Sequence, residues 1–367
     1  MSWPQEASRS VFCYNSLDAV AETDSGACPQ DKRRRFNSYP HLMTPKEFIA
    51  EKLEQLKKRL GLLPPQNTAL LEAEILRLLL SKKFRKYSAN DELIKHCKQA
   101  ISIQVEKKEP INITFLHGAY KLWRLDESPY VDWAELFSLM YYTNWVKGIC
   151  EIYEPGVWFD FFVDDLIIPK LDNVPMSDIE DYLSSYNDLL VFLKQYQPAN
   201  LKMTITTVGS RFESPRKFDE VLEQKLVELK EKSGGKLPEL TDSQKAMVEL
   251  NTKATPEQEA DPQWREKIYE LHNAYMATKR APGYHFRPEK ILVFTQPLAS
   301  GTTISVGTTK SSIMKFWVGV GALHRKGETY TETILSPSQL ESTDVEWSSI
   351  KVDGLVGTNF NKIRIVQ

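Results

Sequence analysis

Two apolar runs of strand length, each broken off by polar residues, constrain this chain more than any other feature. The first, Ile111-Asn112-Ile113-Thr114-Phe115-Leu116, ends in His117-Gly118-Ala119-Tyr120-Lys121, and the second, Val157-Trp158-Phe159-Asp160-Phe161-Phe162-Val163, ends in Asp164-Asp165. Such runs read as buried strands that deliver their C-terminal loops to a site. Between them, the stretch from Asp132 to Cys150 is apolar on nearly every face, the mark of a helix buried on most sides. Its aromatic residues line a ligand cavity or fill the core. Parallel strands need such a crossover, so the unit reads as strand, loop, helix, strand. In an open α/β sheet the ligand crevice lies beyond the carboxyl ends of the strands. His117, Lys121, Asp164 and Asp165 are therefore expected along one edge.

The remaining elements follow from the same periodicities. A helix opened by a capping box at Ser177 and Glu180 and stopped by Pro198 leads to a third strand over Leu201 to Val208, ended by Gly209-Ser210-Arg211. This alternation predicts an α/β fold with a Rossmann-like, mostly parallel sheet. Residues 1–44, with the basic run Asp31-Lys32-Arg33-Arg34-Arg35, read as a solvated tail or as a targeting or nucleic-acid patch. Residues 45–105 read as an N-terminal helical layer that starts at Thr44-Pro45, and residues 106–214 as the α/β core. Residues 215–282 read as a helical insertion, either a lid over the strand ends or a scaffold. Residues 283–367 turn β-rich, with short runs at Ile291 to Phe294, Thr303 to Gly307, Phe316 to Val320, Thr329 to Leu335 and Lys362 to Val366. These are expected to complete the core as antiparallel strands that extend the sheet.

Charge and composition exclude several classes. Lys+Arg 47 against Asp+Glu 49 leaves no global field to recruit nucleic acid or an anionic membrane. No apolar run reaches the roughly 20 residues a membrane span needs, and the start MSWPQEASRS lacks signal-peptide order, so a cytoplasmic location is expected. The cysteines Cys13, Cys28, Cys97 and Cys150 have no CxxC spacing and read as free thiols. His272, His285 and His324 show no HExxH spacing, GxSxG is absent, and only Gly118 is available where a dinucleotide fingerprint would need more glycines.

What remains is a set of polar residues at strand ends. Lys121 and Arg124 follow the first strand, Arg211 the third, and Thr308-Thr309-Lys310 follow Gly307. Turn amides, hydroxyls and ammonium groups together cradle a phosphate. Gly307 to Ser312 is not a P-loop, because neither the earlier glycine nor the lysine stands at its required offset. Each basic residue taken alone reads equally as a surface charge. Asp164 and Asp165 read as acid/base or metal-binding carboxylates, or as caps. Asp160 reads as facing solvent or a partner, and His117 as an acid/base group or a structural histidine.

The order of these motifs resembles that of the isocyanide synthases, the pyoverdine/dityrosine biosynthesis family. The matching stretches are Leu116 to Lys121, Pro155-Gly156 into Val163-Asp164-Asp165, Val208 to Arg211, Phe218-Asp219 and, more loosely, Ile304 to Lys315. The acidic tip departs from the Ser-Asp-Gly-like form of that family. The resemblance implies a small-molecule biosynthetic enzyme, without metal or organic cofactor, that condenses an amino-acid amine with a ketose phosphate. It implies that Lys121, Arg211 and Lys310 hold phosphate and carboxylate while His117 and Asp164 move protons. Two other readings stay open: a metal-dependent transferase that uses a nucleotide-sugar on Asp164-Asp165, and a non-catalytic interaction protein.

Overall fold

The computed structural model describes residues 42–235, 237, 239–278, 289–297 and 301–367; the basic run 31–35, most of the expected tail, and His285 lie outside them. Three helices come first: α1 (Pro45–Lys57), α2 (Thr68–Leu79) and α3 (Asp91–Lys107). Each begins where a short polar side chain accepts a backbone N–H of the first turn, Thr44 from Glu47, Asn67 from Leu70 and Asn90 from Leu93. Their apolar stripes, with Ile49, Leu53, Ile75, Leu79, Cys97 and Ile101 essentially inaccessible, pack into the larger of two hydrophobic clusters.

The core follows as β1 (Ile111–His117), α4 (Trp133–Ile152), β2 (Val157–Val163), α5 (Ile168–Leu171), α6 (Met176–Lys194) and β3 (Leu201–Thr207). A helical block comes next, α7 (Pro215–Lys232), α8 (Asp242–Asn251), α9 (Pro256–Ala260) and α10 (Pro262–Thr278), and then β4 (Ile291–Phe294) and β5 (Thr303–Ser305). The five strands form one all-parallel sheet in the order β3-β2-β1-β4-β5. The fold is α/β. Side-chain alternation divides the sheet between two clusters: Ile113, Phe115, Phe159 and Phe161 join the N-terminal helices, while Leu116 and Phe162 join Phe218, Leu222, Val248 and Ile268 of the helical block. The chain runs outward from β1 to β3 and then restarts at β4 on the other side of β1. That reversal places the topological switch point between the carboxyl ends of β1 and β4.

The C-terminal part departs from expectation. β4 and β5 are parallel members of the main sheet, not antiparallel additions to it. Phe316 to Gly319, expected as strand, is turn. β6 (Val320–Lys326), β7 (Thr329–Leu335), β8 (Val345–Ser349) and β9 (Lys362–Val366), with α11 (Pro337–Ser342) between β7 and β8, make a second, mixed sheet in the order β7-β6-β9-β8. Runs of a few residues show that a strand exists but not which sheet it joins. The capping box expected at Ser177 is also absent: α6 starts one residue earlier, behind Pro175, with no side-chain cap. Asp160 is not turned to solvent but is fully buried on β2, where it accepts from Thr204 Oγ1 at 3.0 Å and Thr206 Oγ1 at 2.6 Å. Cys97 and Cys150 are free and buried. No helix among the described residues is long and apolar enough to cross a membrane.

Candidate functional site

The switch point is underlain by a chain of buried polar side chains. His117, the last residue of β1, has Nε2 2.9 Å from the Tyr182 hydroxyl on α6. Tyr182 donates to Glu135 Oε1 at 3.1 Å. Lys121 Nζ donates to both Glu135 oxygens at 3.0 and 3.1 Å, to Asp132 Oδ1 at 2.7 Å, and to the Phe316 carbonyl at 2.8 Å. Asp132 Oδ2 closes the chain by accepting the Gly321 N–H of β6 at 2.9 Å. The side chains of Lys121, Asp132 and Glu135 are between 0% and 1% exposed, so neither charge nor proton is shared with bulk water.

Local sequence explains the placement of the two acids. Asp132 is the N-cap of α4 and Glu135 its N3 residue, a complete capping box in which Glu135 Oε2 accepts the Asp132 N–H at 2.9 Å. The helix behind it is buried almost all round, so the cap itself is carried into the interior, where Lys121 meets it. Aromatic rings close the other end: His117 has ring centroids 4.9 Å from both Phe316 and Trp317 and 5.2 Å from Tyr186. Gly118 is required there, because a Cβ would sit 2.5 Å from Trp317 Nε1.

Burial and pairing set the protonation states. Burial, reinforced by the Lys121 charge, pushes His117 well below the usual imidazole range, so it is neutral. Burial raises Glu135 well above the carboxylate range, opposed by the Lys121 charge and reinforced by the Asp132 charge. For Asp132 burial acts upward, but the Lys121 charge and several hydrogen bonds outweigh it and hold the carboxyl low. Lys121 feels the same burial and is kept charged by Asp132 and Glu135. Tyr182 is pushed up by burial and by Glu135. The result is one buried lysine shared between two acids, of which Glu135 is the more readily protonated, with a phenol and a neutral imidazole in hydrogen-bonded series, an arrangement able to hold or pass a proton.

A pH dependence follows from His117. Its folded pKa lies below the unfolded value of 6.5, so the unfolded state binds the extra proton first and stability is lost as pH falls below that value. The expected slope from this group is about 1.4 kcal/mol per pH unit until the folded pKa is reached. His117→Gln, which keeps a partner for Tyr182 but does not titrate, should remove that slope; urea titrations at a series of pH values compare the two proteins.

The other expected site residues are distributed along the sheet edge without converging. Asp164 accepts from the Tyr275 hydroxyl of α10. Asp165 Oδ1 accepts the Gly209 N–H at 2.9 Å, ties the β2 and β3 ends together, and is pushed up by burial. Arg211 lies in the turn after β3 with its guanidinium 5.8 Å from the Phe162 ring centroid and a buried Nε that has no acceptor. At the far side of the sheet, Thr308 and Thr309 are buried and hold their own turn: Thr308 donates to the Ser312 carbonyl, and Thr309 Oγ1 accepts the Ser311 and Ser312 N–H groups. The Lys310 side chain is exposed and its carbonyl takes the Lys86 ammonium at 3.1 Å. The strands that Arg211 and Lys310 follow, β3 and β5, stand at opposite edges of the sheet, four strand spacings or about 19 Å apart. Arg124 is exposed and stacked on Trp123, 4.6 Å from its ring centroid. Lys121, expected to bind an anion, has its donors committed to two acids and a carbonyl. Among the described residues no group of three or more His, Cys, Asp or Glu side chains is placed to hold a metal ion.

Asp132, Glu135 and Tyr182 were not singled out by sequence reasoning. The available signal was a pair of acids three apart at the head of an otherwise apolar helix, downstream of a lysine that ends a strand.

Among solved structures, the chain matches the PvcA protein from Pseudomonas aeruginosa, with a TM-score of 0.58 and 14% identity over 81% of this chain and 100% of that one. The fold is similar to that of PvcA. The distant resemblance to the isocyanide synthases is thus a resemblance of fold. A tyrosyl-tRNA synthetase from Archaeoglobus fulgidus, complexed with L-tyrosine, also matches, at 11% identity over 74% of this chain and 89% of that one, but with a TM-score of only 0.29, on which no argument rests. No protein-family profile matches the sequence. No curated protein matches it either.

Proposed function

We propose that this protein is a small-molecule biosynthetic enzyme whose reaction site is the crevice beyond the carboxyl ends of β1, β2 and β4. The observation that carries this reading is the sealed series His117, Tyr182, Glu135, Lys121 and Asp132 directly beneath the switch point of a PvcA-like sheet. Buried titratable groups cost stability unless paired, and strongly shifted ones gather at functional sites. In this proposal the substrate is an amino-acid amine condensing with a phosphorylated ketose. His117 and Asp164 move its protons, His117 through Nδ1, which no described group takes; burial and the Lys121 charge keep that imidazole neutral, and Arg211 receives the anionic group. Lys121 is a positioning residue that keeps Asp132 and Glu135 in place.

The test is a thermal-shift and turnover screen of the full chain, with aromatic amino acids paired with pentose phosphates in one arm and nucleotide-sugars with divalent ions in another. The proposal expects stabilisation by a pentose phosphate and a product with an isocyanide infrared band. Stabilisation only in the nucleotide-sugar and metal arm, or none in either, would remove it.

A further inference from the structure

A cleft distinct from this series lies on the face of the C-terminal sheet, lined by none of its five residues. A cleft of about 370 Å³ opens between the loop that carries Arg124, Asp126 and Glu127, the end of α11 at Leu340, and the strand residues Trp347 and Arg364. That volume is at the small end of ligand sites and equals about a dozen waters. Three features mark it as built rather than incidental. Arg364 is only 7% exposed, and its guanidinium is fixed by an ion pair with Glu127 and by stacking 4.2 Å from the Trp347 ring centroid. One N–H of its fork goes to Glu127, and no other described residue accepts from the rest. Glu127, itself 6% exposed, has Oε2 buried without any donor. At the rim, the exposed Arg124 and Asp126 present one charge of each sign.

Charge selects the occupant. Among the residues that line the cleft, two arginines face two acids, so a bare anion or a bare cation would meet as much repulsion as attraction; Lys362, whose ammonium lies 4.1 Å from the Trp347 ring centroid, is not one of them. A molecule with both charges meets neither. We propose that this cleft binds a zwitterion of about dipeptide size, its carboxylate on the guanidinium groups of Arg364 and Arg124, its ammonium on Asp126 and Glu127, and an apolar side chain against Leu340. A planar carboxylate matches the guanidinium fork, and a dipeptide has about the dozen heavy atoms the volume accommodates. The site does not depend on the proposed reaction.

The experiment is saturation-transfer NMR on the full chain with three probes of matched shape: leucylglycine with both termini charged, N-acetyl-leucylglycine with only the anion, and leucylglycinamide with only the cation. Saturable binding of leucylglycine is expected, with each blocked form weaker by at least about tenfold. Arg124→Ala and Asp126→Asn, both at exposed positions, should each weaken leucylglycine by a similar factor without moving the thermal midpoint. No saturable binding of leucylglycine, equal binding of a blocked form, or undiminished binding in either variant would overturn the proposal.

Discussion

An alanine at position 121 is expected to cost this protein about 3–5 kcal/mol of stability, because it leaves the Asp132 carboxylate buried with its cation removed. Asp132 retains the N–H groups of Ala134 and Gly321, but these donate partial charge against the full charge of an ammonium 2.7 Å away. The Phe316 carbonyl loses its donor as well. The contrast is Glu135→Gln. Burial favours the neutral form of Glu135, so an isosteric neutral amide should cost less than the loss of Lys121, about 1–3 kcal/mol, because its NH2 group meets a donor where a carboxyl oxygen accepted. The sign of its pH effect is also set. A carboxyl raised in the folded state makes the unfolded chain release its proton first, so above about 4.5 this group lowers stability as pH rises, and Glu135→Gln removes that loss. Urea denaturation of the two variants at pH 7 and pH 9 measures both effects. Equal costs for the two substitutions would mean that Glu135, not Asp132, carries the negative charge.

Lys121 also shows where sequence reading of this chain stops. Its position after an apolar run was legible, as were β1 and β2, whose runs are buried on both faces, and the half-buried edge strand β3, placed by the helix before it and the Gly209 turn after it. Its role was not, because its partners come from the head of α4 and from the carbonyl of Phe316, which lies almost two hundred residues downstream on the chain. A lysine that ends a strand looks the same in sequence whether it faces a ligand or two buried acids. The same limit applies to Thr308 and Thr309, whose hydroxyls are taken up by their own turn, and to β4 and β5, whose four and three residues are too few to reveal strand direction. The cleft at Arg364 was out of reach for a related reason: it brings together the loop after β1 and the last strand of the chain.

Gly321→Ala is expected to be about as damaging as the loss of Lys121, through geometry instead of charge. A Cβ at position 321 would lie 2.4 Å from the Ala134 nitrogen and from the carbonyl carbon and Cβ of Trp133, all at the fixed first turn of α4. No flexible side-chain end is there to move aside, so the second sheet must withdraw from the helix. Overpacking of this kind costs about 1–3 kcal/mol, and lengthening the Gly321 N–H bond to Asp132, an acceptor with full charge, adds about 1.5–3 kcal/mol. A total of about 2.5–6 kcal/mol is expected by urea denaturation. Gly327→Ala in the turn between β6 and β7 is the control: with φ +59 and nothing within 4 Å of its Cβ, it should cost only the left-handed backbone penalty of about 1–2 kcal/mol. The two glycines share one sheet, so a difference between them isolates the contact with α4. Because Asp132 is held by Gly321 on one side and Lys121 on the other, withdrawal of the sheet should also loosen Glu135 and Tyr182. Gly321→Ala should then weaken the stability loss that His117 produces below pH 6.5, whereas Gly327→Ala leaves it intact.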